Sequence, residues 1–204
     1  MQTNRLSLLA LLLLFLAACA GEPPVETIEN RDSLGNMERF ERRKKDFAKH
    51  GRYQRFSPEG KLLEEATYQN DSLHGERRLF YTNGQVDIVE HYDNGTFSGK
   101  YQKFSDKGVL MVEQTFVKGQ IEGLSLAYYA NGTVAEKVMF KNGEENGPFT
   151  EYYDTGVLKT EGNYVPTEDG PVEDGELKEY DTTGALVRIA DCKLGMCQTR
   201  WKKD

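Results

Sequence analysis

The 204-residue chain has little of what most functional sites are built from. It holds three histidines, three cysteines and one tryptophan, and its 26 basic residues are outnumbered by 33 acidic ones. A net charge of −7 excludes a surface that tracks a phosphate backbone, which needs an excess of Lys and Arg, so no nucleic-acid partner is expected. No Gly-x-Ser-x-Gly elbow, His-Glu-x-x-His, phosphate loop or dinucleotide fingerprint occurs. His50 and His74 stand at one recurring place, where other copies of the pattern have Ser98, Glu122, Asn146 and Asp174; such a position takes any polar residue and reads as a solvated turn. No catalytic residue, cofactor or metal site is expected, and the chain reads as a non-enzyme.

Long apolar runs are absent with one exception, Leu6 to Ala18, which follows Arg5. It is too short to span a bilayer and reads as a signal peptide over residues 1–18. Its end, Leu16-Ala17-Ala18-Cys19, resembles the bacterial lipobox. The resemblance implies an acylated Cys19, a bilayer as partner and a place in the cell envelope. Ala20 after the cysteine is similar to Gram-negative lipoproteins sorted to the outer membrane. Residues 19–36 are poor in apolar side chains and are expected to be a flexible tether. Over residues 37–50, Met37, Phe40 and Phe47 approach helical spacing around a basic cluster, Arg42 to Lys45. A short capping helix is expected there, with a degenerate strand pair as the alternative.

What the chain has in quantity is glycine, twenty in all, and most of them are periodic. Gly51, Gly75, Gly99, Gly123 and Gly147 are 24 residues apart and Gly175 follows after 28; Gly60, Gly84, Gly108, Gly132, Gly156 and Gly184 keep a constant offset behind them. A period of this size marks a repeat array over residues 51–204. Each copy runs to an aromatic (Phe56, Phe80, Phe104, Tyr128, Tyr152, Tyr180), turns at a glycine, and opens a second run on Leu62, Val86, Leu110, Val134, Leu158 or Leu186. That second run closes on Tyr68, Tyr92, Phe116, Phe140 or Tyr164. Turn-forming pairs and short links predict an all-β, single-layer antiparallel meander of about six 24-residue hairpins. The even spacing from the opening aliphatic to the closing aromatic predicts one shared buried face.

The units resemble the variant MORN repeat, on Gly75, Phe80, Tyr81, Asn83, Gly84, Val86, Tyr92, Asn94 and Gly95. Related bacterial proteins are labelled antitoxin components, and the resemblance implies a toxic protein as an alternative partner class. The lipobox sets this chain apart from cytoplasmic relatives.

Three features lie outside the strict pattern. The stretch Val165–Asp174 adds four residues and reads as an acidic loop. Cys192 takes the closing aromatic's place and Cys197 that of Leu73, Phe97 and Ile121, two positions that flank a hairpin, so a disulfide is expected to staple the last repeat. Tyr53, Tyr101 and Phe149 lie two residues after the first glycine, and Tyr81, Tyr129 and Tyr153 six after it. In a regular strand these six share the second face. They form a candidate docking stripe for an envelope protein or a glycan, unless the rings pack on one another.

Overall fold

The structure, a computed structural model, describes residues 24–204. The expected signal peptide over residues 1–18 and the expected acylation site Cys19 lie outside the described residues. Every element within them is a strand: β1 (Val25–Arg31), β2 (Met37–Arg43), β3 (Lys49–Phe56), β4 (Leu62–Gln69), β5 (Ser72–Phe80), β6 (Val86–Asp93), β7 (Thr96–Phe97), β8 (Gly99–Phe104) and β9 (Leu110–Val117). The series continues with β10 (Gln120–Ile121), β11 (Gly123–Tyr128), β12 (Val134–Lys141), β13 (Glu144–Tyr152), β14 (Leu158–Thr167), β15 (Gly170–Glu173), β16 (Gly175–Tyr180), β17 (Leu186–Lys193) and β18 (Met196–Lys202). All pairings are antiparallel and sequential, and β7/β8, β10/β11 and β15/β16 are each two halves of one strand beside a common neighbour. The result is the single open meander that the period predicts. Fifteen strand widths at ~4.8 Å make a ribbon on the order of 65 Å across.

The meander begins a full hairpin earlier than the glycine period indicates. Residues 25–36 are not a tether, and 37–50 hold no helix. Val25 to Arg31 pairs with Met37 to Arg43 over seven consecutive positions. Ile28 sits opposite Phe40, while Arg39 meets Glu29 at 2.7 Å and Arg42 meets Glu26 at 2.9 Å across the strands. These alternating cross-strand contacts override the helical spacing of Met37, Phe40 and Phe47. The hairpin turns on Asp32, whose carboxylate accepts the Leu34 and Asn36 N–H groups, both at 2.9 Å.

Two kinds of bulge recur in the interior. Within a hairpin, Leu79 pairs with Ile88 but Phe80 with Val86, so Asp87 is an extra residue. The same skip follows Arg55, Lys103, Ala127, Glu151 and Glu179. Because a bulge inserts one residue, it shifts the side-chain alternation by one. Val86 therefore lies with Phe80 on one face, and Tyr92 on the other. The expected single face shared by opening aliphatic and closing aromatic is thus split in two. Arg39 lies 5.7 Å over the Phe56 ring and Lys137 lies 5.2 Å over the Tyr152 ring, although their neighbours Phe40 and Val138 point into the core.

The second bulge lies between hairpins. Ala66 pairs with Arg77 and Tyr68 with Leu73, so three residues, His74 to Glu76, span the single Thr67. Gly75 makes this kink at φ +84, in the left-handed region where a β-carbon would be strained. The first glycine of a unit thus bends a strand rather than making a turn, and His50 and His74 are strand residues. The last pairing differs: from Cys192–Cys197 to Ala190–Thr199 it runs without interruption, and its bulge falls at Arg200.

The core face carries two apolar clusters. Phe40, Tyr53 and Ala66 are buried with Ile28, Tyr68 and Leu73 against them. Val138, Phe149, Leu177, Ala190 and Cys192 are buried with Phe140, Tyr164 and Cys197 against them. Gly162 lies at the centre of the second, where a β-carbon would come within 2.8 Å of the Phe149 ring and 2.9 Å of Leu177. Gly162→Ala is expected to cost about 1–3 kcal/mol through overpacking, read as a lower urea midpoint with an unchanged slope.

Candidate functional site

The six aromatic positions proposed as a docking stripe fall into two separate sets. Tyr53, Tyr101 and Phe149 are on the core face. Tyr53 is 5% exposed, packs on Tyr68 at 5.4 Å and donates its hydroxyl to Glu38 at 2.9 Å. Burial first, and then that carboxylate, hold its phenol well above the ordinary value. Phe149 stacks on Tyr164 at 4.2 Å, and Tyr101 meets Phe116 edge-on at 6.0 Å. Tyr164 is pushed up to about 12 by burial and then by Glu145 and Glu173. These rings are packing elements, and they are not contiguous, because the positions between them hold Arg77 and Ser125.

Tyr81, Tyr129 and Tyr153 belong to the edge of the sheet. Each lies one residue past the end of its strand, in the turn, so pleat alternation no longer governs where it points. Their hydroxyls donate to backbone carbonyls of the next unit: Tyr81 to Phe104 at 2.9 Å, Tyr129 to Tyr152 at 2.7 Å and Tyr153 to Tyr180 at 2.8 Å. Asn83 and Asn131 repeat the act, donating their side-chain amides to the carbonyls of Asp106 and Asp154 at 2.8 Å. Units that lack this tyrosine hold Ser57, Ser105 or Asp181, which instead accept N–H groups of their own turn. On the opposite edge, the N–H groups of Gly95, Gly119 and Gly143 donate to Leu73, Phe97 and Ile121 of the preceding unit at 2.8 to 3.0 Å. Both edges are therefore sewn unit to unit.

Between the clusters the core face turns polar. Glu64 and Glu90, each 7% exposed, flank Arg77, which donates to them at 2.7 and 2.9 Å. Burial disfavours the Arg77 charge, but the two carboxylates outweigh it and hold the guanidinium above its ordinary value. Arg55 donates to Glu64 at 3.2 Å and the Tyr92 hydroxyl to Glu90 at 3.0 Å, completing the network. Sequence spacing gave no sign of it, since three charged residues from three strands meet only through the register. The other face is a ladder of exposed pairs such as Arg52–Glu65 and Lys100–Glu113, each contributing about 0.2–1 kcal/mol.

Cys192 and Cys197 are directly opposite and disulfide-bonded, with Cα atoms 3.9 Å apart. They occupy the place held by Tyr68 with Leu73, Tyr92 with Phe97 and Phe116 with Ile121. The acidic insertion is an orderly extension of a hairpin: Val165 to Thr167 pairs with Gly170 to Val172, leaving Glu168 and Asp169 in the turn. A shallow depression of about 640 Å³ opens between the turns of the β5/β6 and β8/β9 hairpins, lined by Tyr81, Asn83, Lys103, Phe104, Asp106 and Met111. It holds no assembled nucleophile and base. His91 Nδ1 lies 2.8 Å from the Lys100 carbonyl, and His74 Nδ1 lies 3.5 Å from Asp93. Among the described residues, no group of three His, Cys, Asp or Glu is arranged to hold a metal ion. No described helix is long and apolar enough to cross a membrane.

An extended, one-layer array of sewn hairpins is the architecture of a β-repeat protein. Within that class, residues 49–70, 73–94, 121–142 and 145–165 match the MORN repeat variant family. The unit between them, from Phe97 to Lys118, keeps the same pairing with Ser105 and Lys107 in place of the tyrosine and asparagine. No curated protein matches the chain. Repeats of this family often serve in protein and membrane interactions and are generally non-catalytic.

Two substitutions test the geometry. Tyr129→Phe removes one interunit hydrogen bond and is expected to cost about 0.5–1.5 kcal/mol, with faster amide exchange confined to the turns after Tyr128 and Tyr152. Glu136 faces Glu151 directly across the strands, and burial first, then Glu151 and Glu145, raise its carboxyl above the ordinary 4.5. Its ionisation is therefore harder folded than unfolded. The stability it gives is full below the ordinary value and lost as pH rises through the raised one. Glu136→Gln is expected to raise the urea midpoint at pH 7, with the difference from the parent chain closing by about pH 4.

Proposed function

We propose that this chain is a non-catalytic lipoprotein, anchored through an acylated Cys19, that presents its sheet as a protein-interaction scaffold at the bacterial cell envelope. The observation that supports the reading is the open ribbon itself: among the described residues a single sheet runs fifteen strand widths with no second layer over either face, which leaves an extended surface for a partner. The apolar leader ending in Leu16-Ala17-Ala18-Cys19 supports the anchor. The Cys192–Cys197 disulfide supports export, since such bonds persist in oxidising compartments. A glycan-binding stripe has less support, because Tyr53 and Phe149 are buried and the hydroxyls of Tyr81, Tyr129 and Tyr153 are engaged by the backbone.

Labelling cells with a radioactive fatty acid is expected to mark the chain, and Cys19→Ser to abolish the mark and release the protein from the membrane fraction. Affinity capture of the anchored protein from detergent-solubilised envelopes is expected to recover a stoichiometric protein partner. Labelling that survives Cys19→Ser refutes the anchor, and capture without a stoichiometric partner refutes the scaffold.

A further inference from the structure

The link between β2 and β3 departs from the two-residue turns that join later hairpins. It closes through Phe47 N–H on the Arg43 carbonyl and Arg43 N–H on the Ala48 carbonyl, both at 2.9 Å. Phe47 takes φ +63, a region that bulky side chains seldom occupy. Phe47 is 63% exposed, with Arg42 4.8 Å over its ring. Lys44 and Lys45 are exposed beside it. Arg43 is paired with Asp46 and Arg42 with Glu26, but no ion pair involves either lysine among the described residues. The tip of the turn thus combines an outward aromatic ring with two uncommitted positive charges.

Its position gives this combination a direction. The Lys44 N–H donates to the Pro24 carbonyl at 3.2 Å, which holds the turn against the point where the described chain starts. Cys19 is five residues before Pro24, a separation that even fully extended backbone cannot stretch beyond roughly 18 Å. An acyl group on Cys19 therefore keeps the Lys44–Phe47 tip close to the bilayer surface.

We propose that this turn is a membrane contact: Phe47 enters the headgroup interface of an anionic bilayer, and Lys44 and Lys45 meet its phosphates. The proposal rests on the lipid-anchor reading. Aromatic rings favour that interface, and lysines beside it add electrostatic attraction that salt weakens. Anchor and turn together would make a two-point attachment, which fixes the tilt of the sheet as a single flexible tether does not.

The test uses the chain from Cys19 onward, which contains every described residue, with Phe47→Trp and Trp201→Phe so that position 47 carries the sole indole. The Cys19 thiol is coupled to a maleimide-bearing lipid in preformed vesicles, which supplies the tether whether or not cells acylate that cysteine. The indole is expected to be quenched by brominated acyl chains in phosphatidylglycerol vesicles. Partitioning should fall about fivefold for each of Lys44→Gln and Lys45→Gln. Unchanged circular dichroism confirms that the sheet is intact in each variant, as expected for side chains that are exposed. An unquenched indole on phosphatidylglycerol overturns the proposal, and so does equal quenching in phosphatidylcholine or in the double lysine variant. Failure of fatty-acid labelling in cells would refute the anchor reading instead, leaving the two outcomes distinguishable.

Discussion

The structure depends on a backbone constraint at each junction between hairpins: a strand must kink without losing its partner. Gly75 and its counterparts meet it by adopting positive φ in the middle of a strand, where three residues cross the span of one. The kink releases N–H and C=O groups that the ladder cannot pair, and a ribbon this thin has no second layer to shelter them. The edge hydrogen bonds supply part of the answer. The units that carry Tyr81, Tyr129 or Tyr153 reach to the next at one edge, two of them also through an asparagine side chain, and interior units reach back to the previous one at the other edge through a turn glycine N–H. Stability is thereby distributed as nearest-neighbour terms, as expected of a linear array.

The turns and the period were legible because glycine is needed where φ is positive, and a backbone requirement writes itself into every copy. The face assignment was not. A bulge residue such as Asp87 is present in every interior unit, so it leaves the 24-residue spacing intact while reversing the alternation that spacing was used to infer. The first hairpin was hidden for the opposite reason. Glu26 stands where later units have their first glycine, and Gly35, which turns the hairpin at φ +82 as Gly60 does at φ +81, lies 25 residues before Gly60 and so falls outside the 24-residue series. The alternation of Ile28, Phe40 and their charged neighbours was the available signal for a strand pair over residues 25–43. The cysteine pair could be placed from its position in the repeat alone.

The core face is unusual in being broken by charge. Arg77 between Glu64 and Glu90 occupies positions that elsewhere hold Tyr53, Phe149 and Leu177. Fully satisfied, such a network gives less stability than apolar packing but penalises any other register, because a slip leaves buried charges unpaired. In an array of near-identical strands, where a one-unit slip preserves most hydrophobic contacts, a unique polar group marks the register of the β5/β6 hairpin.

The two ends of the sheet are not interchangeable with its middle. The first hairpin pairs without any bulge, and the last strand carries its bulge at Arg200 because Thr199 stands where a glycine would have set it earlier. A ladder of equivalent rungs offers each free edge as a template for the next rung, which is how open sheets come to polymerise. Here the terminal rungs are cut to a different pitch from those between them. The bulge spacing of the interior is thus not continued in the terminal pairings, and neither outer strand repeats the template that interior strands offer one another.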